Sequence, residues 1–167
     1  MQLPTLAKLL EDQLKDLYSA ENQLTKALPK LAKKASADGL KQAILSHLAE
    51  TKQQVERLNS IGESLGIKLS GKKCKAMEGL VEEGSEVLDA EGPGPIVDSA
   101  LIAAAQRVEH YEISAYGTAR VLAQHLGHTD VVDLLQETLD EESAADEKLS
   151  VISLEEILPN AGTEEES

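Results

Sequence analysis

Cysteine occurs once, at Cys74, tryptophan and phenylalanine do not occur, and three tyrosines are the only aromatic side chains. A lone cysteine excludes an intramolecular disulfide and fits a reducing compartment. No apolar run approaches the length needed to cross a bilayer. The N-terminal stretch has neither the apolar segment nor the small-residue cleavage site of a secretory signal, so a cytoplasmic protein is expected. With so few aromatics the core must be built from Leu, Ile, Val and Ala, which suits helix-on-helix packing better than a β-sandwich. Positive charge is also scarce: 16 Lys and Arg stand against 30 Asp and Glu, a net charge of −14. That field repels nucleic acid and anionic membrane surfaces, so neither is an expected partner, and Lys72, Lys73 and Lys75 read as a solvated patch. A phosphate-binding loop, a dinucleotide fingerprint, Gly-x-Ser-x-Gly and His-Glu-x-x-His are all missing. Hydrolase and nucleotide-binding readings therefore have no support.

What the 167 residues do contain is helical periodicity nearly throughout. Leu10, Leu14, Leu17, Glu21, Leu24, Leu28 and Leu31 recur at three- and four-residue steps and predict a long helix over 4–34, bent at its end by Pro29. A second stripe, Leu40, Ile44, His47, Leu48, Thr51, Gln54, Leu58 and Ile61, predicts a helix over 38–65 capped by Gly66. A short helix over 72–90 is weakened by Gly79 and Gly84, and the run Gly92-Pro93-Gly94-Pro95 stops it. Two more long helices follow, over 96–126 and 130–157, the second with Thr129 and Asp130 as caps. The connections between helices one and two, and between the last two, are short, whereas the middle connection is long. The predicted fold is all-α: an antiparallel four-helix bundle with one long crossover that carries a short fifth helix. Residues 1–158 form one domain in this reading, and 159–167 an acidic disordered tail.

Sliding the chain on itself by 91 residues aligns Leu10 with Leu101, Glu21 with Glu112, Ala32 with Ala123, Leu48 with Leu139, Glu50 with Glu141 and Leu58 with Leu149. Two similar helical hairpins, related by a pseudo-two-fold axis, are expected.

Several carboxylates fall on the apolar stripes. Glu21 lies between Leu17 and Leu24, Glu112 between Val108 and Ala115, and Glu142 between Leu139 and Ala145. A buried unpaired carboxylate is costly, and a shared cation accounts for several at once. His47 and Glu50 are spaced i, i+3, as are Glu109 and Glu112, so each pair shares a helix face. Carboxylates with histidine form di-iron or di-manganese centres in bundles, and hard oxygen ligands with imidazole suit Fe or Mn. On the last helix the repeat selects Glu141, while the apolar stripe selects Glu142; both stay open. Tyr18, Tyr111 and Tyr116 lie within two turns of these glutamates and read as packing. His110, His125 and His128 read as surface or cap residues. Cys74 sits among lysines that favour the thiolate, but no second cysteine is present to resolve an oxidised one, so a reactive role is not assigned.

Taken together, Asp16-Leu17-Tyr18-Ser19-Ala20-Glu21-Asn22-Gln23-Leu24, His47-Leu48-Ala49-Glu50-Thr51, Lys73-Cys74-Lys75-Ala76-Met77-Glu78-Gly79-Leu80, the run from Ala103 to Glu112, and Glu137-Thr138-Leu139-Asp140-Glu141-Glu142 resemble the YciE/YciF family of ferritin-like, rubrerythrin-like proteins. The resemblance covers about residues 5–155. It implies a ferritin-like bundle, a homodimer and a bacterial stress-linked role. It also implies two Fe or Mn ions per chain, held by Glu21, His47, Glu50, Glu109, Glu112 and Glu141 or Glu142. The Glu-x-x-His of the wider pattern is missing: Gln53 and Ala144 or Ala145 stand at those positions, and Asp146 is the nearest substitute on the last helix. The implied function is a di-metal oxidoreductase, peroxidase- or ferroxidase-like, acting on O2, peroxide or Fe(II), with no catalytic residue singled out. The alternative is a non-enzymatic stress-linked interaction module with a metal-free polar core.

Overall fold

The computed structural model describes residues 4–162, and among them the ordered elements are helices only. Five α-helices follow in order: α1 (Leu6–Lys34), α2 (Asp38–Leu65), α3 (Lys75–Leu88), α4 (Gly94–His125) and α5 (Thr129–Ile152). A π-helical turn, Ser153–Ile157, and a 3-10 turn, Leu158–Asn160, extend α5. Of the expected tail, 163–167 lie outside the described residues.

The ends obey local chemistry. The Thr5 hydroxyl accepts from the Lys8 amide to start α1, which then runs through Pro29 to Lys34. Gly66 ends α2 in the left-handed conformation, φ +66°, as its sequence position predicts. α4 begins two residues earlier than predicted because Pro95 falls in its first turn, where the missing N–H has no intrahelical role. The expected caps of α5 are corrected: His128 is the cap residue and makes no side-chain cap bond, so Thr129 is already helical. Asp130 falls in the first turn, where its charge complements the exposed amides.

Long-range side-chain contacts fix the topology. Ser36 with Asp98 and Glu21 with Tyr116 make α1 antiparallel to α4. His47 with Glu142 and Gly39 with Glu156 make α2 antiparallel to the last helix. The three-residue turn 126–128 folds α5 back along α4, where Gln106 meets Ser150. Every neighbouring pair around the ring α1–α2–α5–α4 is therefore antiparallel, and α2 and α4, on the diagonal, run the same way. The chain must return the length of the bundle between them, and α3 does so in the groove between α1 and α4.

One turn joins the halves. Asp98, buried at the start of α4, accepts from the Ser36 and Ala37 amides at 2.9 and 2.8 Å and from the Ser36 hydroxyl at 2.6 Å. It satisfies the backbone where α1 turns into α2. Asp98 lies on the same stripe as Leu101 and Ala105, so its burial follows from the helical pattern.

The repeat survives in the packing: Leu10 and Leu101, Glu21 and Glu112, Ala32 and Ala123, and Leu58 and Leu149 are each buried in pairs. The core is two apolar clusters. Leu24, Leu28, Ile44, Met77, Leu101, Val108, Leu149 and their neighbours fill one end. Leu10, Leu14, Leu17, Leu58, Ile61, Tyr116, Leu135 and their neighbours fill the other. Between the clusters lies a buried polar layer.

Candidate metal centre

The layer is built from Glu21 on α1, His47, Thr51 and Gln54 on α2, Glu109 and Glu112 on α4, and Thr138 and Glu142 on α5, all buried. Helical geometry explains its depth: each residue keeps an i, i+3 or i, i+4 spacing to other buried positions of its helix, so the turn that buries them buries it. Within the layer His47, Glu109, Glu112 and Glu142 each offer a ligand atom within 4.8 Å of the others. His47 Nε2 stands 3.4 Å from Glu109 Oε1 and 3.9 Å from Glu142 Oε2. Its Nδ1 faces Glu50 Oε2 at 3.7 Å.

Hydrogen bonds account for only part of the layer. The Tyr116 hydroxyl donates to Glu21 Oε1, and Gln54 Nε2 donates to Glu142 Oε1, each at 2.5 Å. Both nitrogens of His47, both oxygens of Glu112, and one oxygen each of Glu21, Glu109 and Glu142 have no hydrogen-bond partner. Leaving such groups orphaned is the costly arrangement, so the donor set fits a cation better than it fits a closed polar network.

The electrostatics agree. Burial, then the Glu142 charge, raises Glu21 to about 8, although the Tyr116 bond pulls the other way. Burial, with Glu142 beside it, lifts Glu109 well above the ordinary carboxylate range. Burial and the charges of Glu21, Glu142 and Glu109 do the same to Glu112. Burial alone would lower His47, but Glu50, Glu142 and Glu21 more than offset it and raise it. Like charges this close favour protons or a cation.

Of the residues singled out from the sequence, four converge in the cluster: His47, Glu109, Glu112 and Glu142. Glu21 lies in the same layer, held by Tyr116. Glu50 sits at the rim beside His47, with 39% of its side chain exposed. Glu141 turns outward: Arg57 binds both of its oxygens at 3.0 Å, and Gln54 donates to it at 2.9 Å. Asp146 is taken by Gln106 and His110 rather than by the layer. His110 and His125 are exposed, and His128 is partly buried at its helix start.

Three readings change. Tyr116 is not mere packing, since it is the donor to Glu21. Tyr111 donates to Asp16 Oδ2 at 2.5 Å and touches Cys74 Sγ at 3.0 Å. The lysines near Cys74 do not activate it: Lys72 is drawn to Asp12 and Asp16, and Lys73 to Glu78. Burial and the neighbouring Asp16 instead push the Cys74 thiol up. Gln54 and Thr51 belong to the predicted stripe of α2 and join the layer because that stripe faces it.

Comparison with known proteins places these features in a lineage. Residues 5–161 match the family model described as domain of unknown function DUF892. Protein YciF of Escherichia coli K12 is 46% identical over 158 residues, covering 94% of this chain and 95% of its own. The crystal structure of the E. coli stress protein YciF superposes with a TM-score of 0.88 at 47% identity, over 91% of this chain and 96% of that one. YcfI of Rhodopseudomonas palustris, described as a candidate structural protein, gives 0.86 at 44% identity, over 89% and 95%. A protein of Xanthomonas campestris gives 0.72 at 20% identity, over 90% and 92%, a likeness of fold alone.

Proposed function

The chain belongs to the DUF892 family, and on that premise we propose that the polar layer is a carboxylate–histidine metal centre in a ferritin-like bundle. The observation that carries this is the cluster of His47, Glu109, Glu112 and Glu142, drawn from three helices, buried, and largely without hydrogen-bond partners. Oxygen donors with one imidazole suit Fe or Mn. Glu21, Glu109, Glu112 and Glu142 together carry four negative charges when ionised, which two divalent cations balance and one does not. Two ions per chain is therefore the proposed loading.

His47 would bind as the neutral imidazole, with Glu50 at the rim facing its Nδ1. Tyr116 and Gln54 hold Glu21 and Glu142 in place through one oxygen each, leaving the other free to bind. Without metal, protons on the raised carboxylates keep the layer neutral; metal binding releases them. Fe or Mn bound there would supply one-electron redox chemistry toward O2 or peroxide. The stress connection comes from the name of the E. coli relative. The proposal includes a cytoplasmic homodimer, checked by light scattering, and gives no role to nucleic acid or membranes. Among the described residues no helix is long and apolar enough to cross a membrane.

Elemental analysis of tag-free protein, purified without chelator, is the direct test. The expected result is about two Fe or Mn per chain, lost in a Glu21→Ala/Glu112→Ala double variant. No metal as purified, and none after anaerobic Fe(II) or Mn(II) reconstitution, would overturn the reading. The second reading, a metal-free interaction module, draws on the Tyr116–Glu21 and Gln54–Glu142 bonds. Under it a chelator leaves the melting temperature unchanged, whereas a metal-loaded fold loses several degrees.

A further inference from the structure

A pocket of about 420 Å³ opens between α2 and α5 and ends on His47 and Glu109. Ala43, Ile44, Ala105, Ala145 and Leu149 form its apolar wall. His47 and Glu109 are 6% and 2% exposed, both line this space, and each carries polar atoms without a hydrogen-bond partner. Exposed Glu137, Asp140 and Lys148, with half-exposed Glu50, form the mouth.

Three features show a built cavity rather than loose packing. It is an order of magnitude larger than a diatomic oxidant needs, since even a water occupies only about 30 Å³. It lies in the range of small-molecule sites, about 300–1,000 Å³. The internal repeat also shows what would have filled it. The 91-residue shift pairs Ala43 with Leu134, Ala145 with Gln54 and Ala105 with Leu14, so the other half carries a larger side chain at each place. Leu14 and Gln54 are fully buried there. At Leu14 and Gln54 one half of the bundle is packed, Leu134 being partly buried, and the other half is open at the matching alanines.

The mouth sets the sign of the occupant. Glu50, Glu137, Asp140 and Glu141 line it with Lys148; Arg57 pairs with Glu137 and Glu141 from behind and His47 faces Glu50, which leaves Asp140, among the described residues, as the mouth carboxylate with no ion-pair partner. We propose that this pocket binds a small organic molecule with an apolar body and a cationic outer end. The body lies against Ala43, Ala105 and Ala145, and the charged end sits among Glu50, Glu137 and Asp140. This gives the candidate metal centre a substrate class, and rests on the metal reading only for what the molecule meets at its inner end. Binding itself needs no metal.

The test is saturation-transfer NMR with hexylamine, hexanol and hexanoate, run on protein as purified and on Co(II)-loaded protein. Cobalt absorption is recorded on the same samples, so loss of the metal site and loss of the pocket are read separately. Hexylamine is expected to bind more tightly than the other two. Ala145→Leu, which fills the cavity, should weaken it at least ten-fold, with the cobalt spectrum unchanged. Asp140→Lys alters only the exposed mouth and keeps the test alive if the first variant does not fold; it should weaken hexylamine several-fold. Absence of hexylamine binding, equal binding of hexanol or hexanoate, or full binding by folded Ala145→Leu or by Asp140→Lys would each overturn the proposal.

Discussion

The Tyr116 hydroxyl donates to Glu21 Oε1 at 2.5 Å, and neither side chain is exposed. The bond crosses from α4 to α1 and holds one of the two Glu21 oxygens in the polar layer. Tyr116→Phe keeps the ring and removes the donor. An orphaned buried acceptor costs about 1–3 kcal/mol, or roughly 3–10 °C in a chain of this size. Thermal melts of metal-free wild type and variant measure this, and equal midpoints would show that the bond contributes nothing.

Glu141 and Glu142 are neighbours in sequence with different surroundings. Glu141 is held by Arg57, whereas Glu142 faces His47. Glu142→Gln is expected to weaken Mn(II) or Co(II) binding by roughly ten-fold or more, as loss of a charged ligand does. Glu141→Gln should leave metal affinity within about two-fold and lower stability slightly through the lost Arg57 pair. Calorimetric titration of both variants decides between them, and the reverse ranking would move the ligand role to Glu141.

Metal-free protein should lose stability as pH rises. The Glu21 carboxyl goes from 4.5 when unfolded to about 8 in the fold, so between these values the folded state binds more protons. Stability is complete below the lower value and is lost as pH climbs through the higher one. Glu109 and Glu112 are shifted in the same direction. A melting midpoint lower at pH 8 than at pH 5 by roughly 5 °C or more is expected. Metal-loaded protein should show the opposite slope, because protons and metal compete for the same oxygens. Parallel slopes with and without metal would contradict this account.

Cys74 should be slow to react. Its side chain is 1% exposed and its thiol is pushed up by burial and by Asp16. A disulfide reagent at pH 8 is expected to label native protein at least about 100-fold more slowly than protein in denaturant. Comparable rates would mean that α3 opens readily.

The four long helices, their antiparallel order and the burial of Glu21, Glu112 and Glu142 were legible because a helix that buries one stripe buries whatever lies on it. The disagreement over Glu141 and Glu142 dissolves in three dimensions. The repeat pairs Glu50 with Glu141, and both sit at the rim; the stripe marks Glu142, whose repeat partner is buried Thr51. The two signals described different residues correctly. Links between elements were not legible. Tyr116 to Glu21, Tyr111 to Cys74, and Gln54 to Glu142 depend on the axial register of one helix against another, which periodicity within a helix does not encode. The cavity was invisible for a related reason, since an alanine on an apolar stripe reads as core whether or not a neighbour fills the space beside it.

Because α2 and α4 point the same way, the crossover also determines which molecule a helical hairpin packs into. The 28 residues of α2 span about 42 Å. Deleting Lys75–Leu88 would leave a tether of 66–74 joined to 89–93, which reaches about 48 Å only at full stretch. Two such shortened chains would relieve the tension by exchanging α4–α5 hairpins, and a Ser36→Cys/Asp98→Cys disulfide, intrachain in the natural chain, would then link two copies. The long return through α3 thus lets α4 reach its place beside α1 of the same chain without tension.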